Sequence, residues 1–168
     1  KNPDAIILFL HWGTEYDTIP SKTQTSLADY FFSRGVDLII GSHPHVIQKM
    51  EWTKSDTDMK DRIVVYSMGN YVSNQRRPGT DGGTMVRIEL AKKADSLYVS
   101  DAGYYLTWVY TPIENYRKKF FILPCSQFEN NPEFFSKPAE YTQMKNFIID
   151  ARALLYKQNL NMREMMYN

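Results

Sequence analysis

The sequence contains few residues of the types that form cross-links or carry nucleophilic chemistry. Only one of its 168 residues is cysteine, so an intrachain disulfide is excluded. Cys125 follows the apolar segment 121–124, which favours a buried structural thiol over a nucleophile. The formal net charge is only +1, so no overall field attracts nucleic acid, and we expect no nucleic-acid partner.

Long apolar runs are also absent. No stretch approaches the roughly 20 apolar residues of a transmembrane helix. Segment 1–4 leads directly into a short apolar run, so we expect no signal peptide. The length suits a single domain, 1–168, in which 1–91 carries the motifs described below and 92–168 adds strands and a helix.

The beginning of the chain predicts a strand, a helix and a second strand. Segments 5–10 and 36–40 are apolar without alternation, which is typical of strands covered on both faces. Between them, Ser21 and Gln24 have the spacing of a capping box, and Gly35 lies where a helix would end. A helical crossover makes the two strands parallel, so their carboxyl ends meet at one edge of the sheet.

The rest of the chain predicts antiparallel hairpins and a helix. The segments with strand patterns are 46–52 paired with 62–67, and 84–90 paired with 98–110. Apolar residues then recur at helical spacing over 144–155, and the tail 159–168 is either a short helix or disordered. The expected fold is α/β, a mixed sheet with a parallel βαβ start, antiparallel hairpins and a C-terminal helix.

All three histidines follow the ends of the two parallel strands. His11 comes after the first strand, and His43 and His45 come after the second, so all three share one edge of the sheet. Neutral imidazole is a common ligand of zinc, iron and manganese, and Pro44 is expected to hold His43 extended. The sequence therefore predicts a divalent metal site, where Glu15 either fixes a histidine tautomer or is a solvated loop charge.

Further polar residues are expected beside the histidines, because the strand at 62–67 runs back toward them. Asn70 then either hydrogen-bonds a ligand or a histidine, or caps a turn. Arg76 and Arg77 lie in a loop rich in glycine and proline. They are either solvated or bind a phosphate or the carboxylates of a polymer.

Three motifs with these residues resemble a known family when they are taken together. They are His11-Trp12-Gly13-x-Glu15, Gly41-x-His43-Pro44-His45-Val46 and Tyr66-Ser67-Met68-Gly69-Asn70-Tyr71. In this order they resemble the CapA family, the poly-gamma-glutamate capsule biosynthesis proteins, which has a calcineurin-like metallophosphoesterase fold. The resemblance covers about the first ninety residues.

The resemblance implies a site for two divalent ions of manganese, iron or zinc. His11 and His43 are expected at one ion and His45 at the other, with His43 and Asn70 in catalytic roles. The family's aspartate, Gly-Asp and Asn-His motifs have no counterpart in this sequence, and they would supply the carboxylate shared by two ions. The chain is therefore expected to be the C-terminal half of a metallophosphoesterase-like sandwich, with weak or no metal affinity until the upstream half supplies these ligands.

Two functions follow from the resemblance. The first is a metal-dependent phosphoester hydrolase. The second is a non-catalytic component of envelope assembly that binds an anionic polymer such as poly-gamma-glutamate, or membrane-associated machinery. Both imply the cell envelope or the extracellular side of the membrane.

The first strand also predicts self-association. A strand at 5–10 that is covered on both faces needs neighbours, which strands of the upstream half would provide. We expect the isolated chain to form a homodimer through this strand, visible as a dimer in size-exclusion chromatography. A clean monomer at high protein concentration would contradict this expectation.

Overall fold

The computed structural model describes residues 3–56, 58–94 and 96–167, and its first sheet contains the predicted βαβ unit. The four strands of this sheet are β1 (Ile7–His11), β2 (Leu38–Ser42), β3 (Met50–Lys54) and β4 (Asp61–Val65). Their order is β1-β2-β4-β3, with β1, β2 and β4 parallel and β3 antiparallel to β4. The parallel start and the first hairpin are confirmed.

Helix α1 (Lys22–Ser33) begins and ends where its capping residues predict. The backbone nitrogen of Gln24 donates to Ser21 Oγ at 3.2 Å, and the backbone nitrogen of Ser21 donates to Gln24 Oε1 at 3.0 Å. Gly35 follows the helix with a φ of +88°. The buried face of the helix centres on Ala28 and covers one face of the first sheet.

A second sheet covers the other face of the first sheet. Its main strands are β5 (Gly82–Lys93) and β6 (Ser96–Tyr110), which form the second predicted hairpin. A small pair, β7 (Ile113–Glu114) and β8 (Arg117–Lys118), follows along the chain. Strands β9 (Phe121–Pro124) and β10 (Arg163–Glu164) both pair with β6.

The two sheets share one hydrophobic core with a long helix. After the short helix α2 (Cys125–Phe128) and a 3-10 turn (Pro132–Phe134), the chain enters α3 (Pro138–Gln158). Its buried residues are Met144, Phe147, Ile148, Ala151 and Leu155, as its helical spacing predicts. The thiol of Cys125 is fully buried in the same core, and burial raises its pKa, as expected of a structural cysteine. Within the described ranges, no helix is long and apolar enough to cross a bilayer.

Within the described residues, the first strand is covered on one face only. Strand β1 is the edge strand, and only its alternate residues Leu8 and Leu10 contact the core beneath α1. The opposite face is open, with Phe9 73% exposed. An apolar run without alternation shows that neither face of a strand is polar. It does not show that another layer of the protein packs on each face.

The C-terminal tail is neither a helix nor disordered, in contrast to both alternatives for 159–168. Strand β10 pairs in parallel with β6, and Met162 and Met165 are buried beside it. Arg152 of α3 holds the tail in place, donating to the Glu164 carboxylate at 2.9 Å through two nitrogens. The same guanidinium donates to Glu129 at 2.6 and 3.0 Å. Asn168 lies outside the described residues.

Replacement of Arg152 tests this ion-pair network. Arg152→Ala leaves two mostly buried carboxylates, those of Glu129 and Glu164, without their cation. We expect the free energy of unfolding in urea to fall by about 2 kcal/mol, less than for a fully buried pair because the Arg152 side chain is 36% exposed. The matched control is Arg163→Ala, which breaks an exposed pair with Asp101 and should cost below about 1 kcal/mol.

The effect of Arg152→Ala should also depend on pH. Hydrogen bonds from Arg152 lower the pKa of Glu129 below its ordinary value of 4.5. A depressed carboxyl pKa contributes stability above the unfolded-state value, and this contribution disappears as the pH falls through the folded-state value. The difference between wild type and variant should therefore be largest near neutral pH and shrink below pH 4.5. A constant difference would show that packing alone accounts for the loss.

Candidate metal centre

The three histidines lie together at the carboxyl edge of β1 and β2. Strand β1 ends at His11, and β2 ends one residue before His43. The ring centroids of His11 and His43 are 4.3 Å apart, and those of His43 and His45 are 6.1 Å apart. The common edge expected from strand direction is therefore present in the structure.

Glu15 joins two of the histidines in a compact group of metal-ligand atoms. One ligand atom from each of Glu15, His43 and His45 lies within 4.8 Å of the other two. His45 Nε2 is 3.7 Å from Glu15 Oε1. Two imidazoles and one carboxylate form a donor set that suits zinc and similar divalent ions. His11 lies outside this group, and its assignment with His43 to one ion stays a prediction.

The turn that contains His43 and His45 has an unusual backbone conformation. His43 has a φ of +105° and His45 a φ of +62°, a region that residues with a side chain rarely adopt. The expectation that Pro44 holds His43 extended was therefore wrong. The turn is fixed instead by tertiary contacts, since Pro44 is buried and its carbonyl oxygen accepts from the backbone nitrogen of Tyr16 at 2.8 Å.

Asn70 fixes the orientation of the His45 ring. Its Nδ2 donates to the carbonyl oxygen of Thr80 at 2.7 Å and to Gln75 Oε1 at 3.1 Å. Its Oδ1, which lies 3.0 Å from His45 Nδ1, is therefore the acceptor, so His45 carries its proton on Nδ1. His45 Nε2 is then free to bind a metal beside Glu15. Asn70 is a positioning residue, and a direct catalytic role for it stays a prediction.

A buried glutamine pair supports the loop that carries Glu15. Gln24 and Gln48 are 1% and 0% exposed, and Gln24 Nε2 donates to Gln48 Oε1 at 2.9 Å. Gln48 Nε2 donates in turn to the carbonyl oxygen of Asp17 at 2.8 Å. Such buried amides are costly to leave unpaired. The capping-box spacing in the sequence predicts only the local role of Gln24. The one further sequence signal for the Gln24–Gln48 contact is that Gln48, a polar residue, follows the apolar pair 46–47.

The two neighbouring arginines face different surroundings. The Arg76 guanidinium donates to two backbone carbonyl oxygens at 2.7 Å each, and its partial burial lowers its pKa. Arg77 instead lies over the ring of Tyr16, with Cζ 4.5 Å from the ring centroid. The Tyr16 ring stacks on the His45 ring, with the two ring centroids 6.0 Å apart. Arg77 therefore adjoins the histidine group, whereas Arg76 anchors its own loop.

A close contact over β2 links the three sequence motifs. The indole Nε1 of Trp12 donates to the carbonyl oxygen of Tyr66 at 2.8 Å, and the two rings stack at 5.8 Å. A Cβ at Gly41 would lie 2.2 Å from that carbonyl oxygen and 2.4 Å from Trp12 Nε1. The glycine of the second motif thus leaves the space through which the first motif contacts the third.

Comparison with known proteins finds a similarity to one family. The sequence pattern of the family described as "Bacterial capsule synthesis protein PGA_cap" matches residues 1–75, which include all three motifs. The "Capsule biosynthesis protein CapA" of Bacillus anthracis is 37% identical over 89 residues, which are 53% of this chain and 20% of that protein. The chain is therefore similar to the CapA family over about half of its length.

A second CapA relative agrees with the first. The "PGA biosynthesis protein CapA" of Bacillus subtilis (strain 168) is 34% identical over 92 residues, which are 55% of this chain and 23% of that protein. The chain thus spans about a fifth of the length of the curated CapA proteins that it matches. The CapA resemblance inferred from the three motifs is confirmed.

Gly41→Ala tests the contact between the CapA motifs. The new methyl group would overlap the Tyr66 carbonyl oxygen and the Trp12 indole, so we expect a loss of about 3 kcal/mol in urea unfolding. Gly35→Ala is the matched control, because its positive φ strains an alanine but nothing lies within 4 Å of the new Cβ. That control should cost about 1 to 2 kcal/mol. A loss in Gly41→Ala no larger than in Gly35→Ala would contradict the close contact, because Gly41, unlike Gly35, has no positive φ.

Proposed function

We propose that Glu15, His43 and His45 hold a divalent metal ion, and that the protein is a metal-dependent phosphoester hydrolase of capsule or poly-gamma-glutamate biosynthesis. The observation that carries the proposal is that one potential metal-ligand atom from each of these three side chains lies within 4.8 Å of the other two. The Asn70 contact supports it, since Asn70 occupies His45 Nδ1 and leaves Nε2, 3.7 Å from Glu15 Oε1, available to a metal. Similarity to the CapA family supports the biosynthetic context.

The residues present fit a single divalent ion. When bound, such an ion supplies Lewis acidity toward the oxygens of a phosphoester. His43 and His45 hold it as neutral donors, and Glu15 offsets part of its charge. Among the described residues, this group contains only one carboxylate, and two adjacent ions repel strongly without a shared anionic ligand. A second ion therefore needs further carboxylates from another part of the full protein.

A capsule role also implies where the protein acts. We infer a location at the cell envelope, on the extracellular side of the membrane and beside membrane-associated assembly machinery. The substrate is then a phosphoester or a phosphoester-linked intermediate of an anionic polymer. The support for this context is the similarity to CapA proteins alone.

Metal titration tests the proposed site. We expect calorimetry with Mn²⁺ or Zn²⁺ to show one ion bound, and His43→Ala or His45→Ala to abolish measurable binding. Asn70→Ala should weaken it by about 10- to 100-fold, because the ring of His45 loses its fixed tautomer. Glu15→Gln should also weaken binding, whereas Glu114→Gln, at an exposed carboxylate outside this group, should not. His11→Ala decides whether His11 is a ligand.

The hydrolytic part is tested with the protein as its gene encodes it. A generic phosphodiester should be hydrolysed with added Mn²⁺, and His43→Ala should remove the activity while Cys125→Ala leaves it intact. Protein that binds metal but hydrolyses no phosphoester would contradict the hydrolase and leave the metal site standing. Protein that binds no metal would contradict both.

The second candidate function is binding of an anionic polymer without catalysis. The observation that favours it is Arg77, whose guanidinium lies beside the histidine group over Tyr16. Affinity for poly-gamma-glutamate in metal-free, inactive protein would replace the hydrolase by this function.

A further inference from the structure

We propose that Arg77, Tyr16 and an adjoining apolar cavity form a binding subsite for an organic oxyanion, a carboxylate or phosphate carried on a short aliphatic group. The subsite rests on the proposed function, because it gives the metal site a substrate class. It adjoins His45, since the Tyr16 ring contacts both His45 and the Arg77 guanidinium.

Arg77 has hydrogen-bond donors available for an anion. Within 3–56, 58–94 and 96–167, its guanidinium makes no hydrogen bond or ion pair, and its one charge contact is the face of Tyr16 at 4.5 Å. A guanidinium over a ring keeps its N–H groups at the edge of its plane, where they fit two oxygens of a carboxylate or phosphate. Arg76 cannot do the same, because its donors are used by backbone carbonyl oxygens.

The position of Arg77 is coupled to the histidine group. The backbone nitrogen and the hydroxyl of Thr80 donate to the carbonyl oxygen of Arg77 at 2.9 and 2.8 Å. The carbonyl oxygen of Thr80 accepts from Asn70 Nδ2, and Asn70 also contacts His45. One asparagine therefore positions both the ring of His45 and the loop that carries Arg77.

A cavity of about 230 Å³ opens beside Arg77 and Tyr16. Most of its lining is apolar, from Val46, Ile47, Pro78, Phe147, Ala151 and Leu154. Such a lining favours the aliphatic part of a ligand, and the few polar groups fix its orientation. Asp150 is the one carboxylate on the wall and offers an acceptor for an N–H group, such as an amide of the ligand. The cavity and the cation together select an oxyanion with an attached aliphatic group over a bare anion.

Calorimetric titration of the purified chain tests the subsite with three probes, which are inorganic phosphate, butyl phosphate and a γ-linked tri-glutamate. We expect butyl phosphate to bind more tightly than phosphate, by about fourfold for each methylene group that becomes buried. Arg77→Gln should weaken binding of butyl phosphate or tri-glutamate by about tenfold or more. Arg77→Lys should restore only part of the loss, because an ammonium group lacks the planar fork of donors.

The matched control is Arg34→Gln. Arg34 is also exposed and lies over a tyrosine, with Cζ 5.3 Å from the ring of Tyr30, but it is at the far end of α1. Arg34→Gln should leave the affinity for every probe unchanged. Arg34→Gln and Arg77→Gln should both unfold at the wild-type temperature. Equal binding by Arg77→Gln and wild type, an equal loss in Arg34→Gln, or no binding of either organic probe overturns the subsite.

The remaining outcomes separate this inference from the proposed function. Arg77-dependent binding of tri-glutamate assigns the carboxylate of a polymer, and Arg77-dependent binding of butyl phosphate alone assigns a phosphoester. If wild-type protein binds no metal but keeps Arg77-dependent binding of a probe, the proposed metal site fails and the subsite stands.

Discussion

Trp12 crosses the end of β2 because Gly41 has no side chain, and its indole nitrogen then reaches the carbonyl oxygen of Tyr66. This buried hydrogen bond joins the carboxyl ends of three parallel strands, β1, β2 and β4. His11 precedes the tryptophan, and the histidine turn follows the glycine. Asn70 follows the tyrosine after a bend at Gly69, which has a φ of +73°. The arrangement of the site therefore depends on one close approach of backbone to indole.

The histidine turn stores strain that the neighbouring loops maintain. Positive φ values at His43 and His45 cost roughly 1–3 kcal/mol each and persist only where the surrounding contacts determine them. Here the contacts come from both sides, through the Tyr16 hydrogen bond to Pro44 and the Asn70 contact with His45. Tyr16 itself has a φ of +68°, so the two loops that face each other share the strain. Strain of this kind is concentrated at ligand sites, where it holds side chains ready for binding.

The sequence predicted those parts of the fold whose signals are local. Ser21 and Gln24 mark the start of α1, Gly35 marks its end, and strand direction then brings the histidines to one edge. Prediction from the sequence failed where contacts between distant segments determine the local structure. Strand β10 exists because β6 pairs with it and Arg152 neutralises the carboxylates around it, and neither partner is close in sequence.

The candidate site shows the same division. Convergence of the histidines follows from topology, but the positive φ at His43 opposes the local preference of a residue before proline and results from tertiary contacts. The buried contact between Gln24 and Gln48 joins a helix to a loop 24 residues away, and spacing within either segment carries no information about it. The difference between Arg76 and Arg77 likewise depends on which guanidinium finds carbonyl oxygens nearby.

Charge gives the proposed site a consistent preference for anions. The whole chain carries a net charge of only +1, so any attraction for a polyanion must be local. On the proposed function, a divalent ion and Arg77 contribute three positive charges, and Glu15 offsets one of them. This excess lies at a partly open edge of the sheet, where His43 and His45 are half-buried. A phosphoester or a polymer carboxylate supplies the opposite charge. These residues contain too little negative charge to hold two ions side by side. For the same reason, they favour binding of an anionic substrate beside one ion.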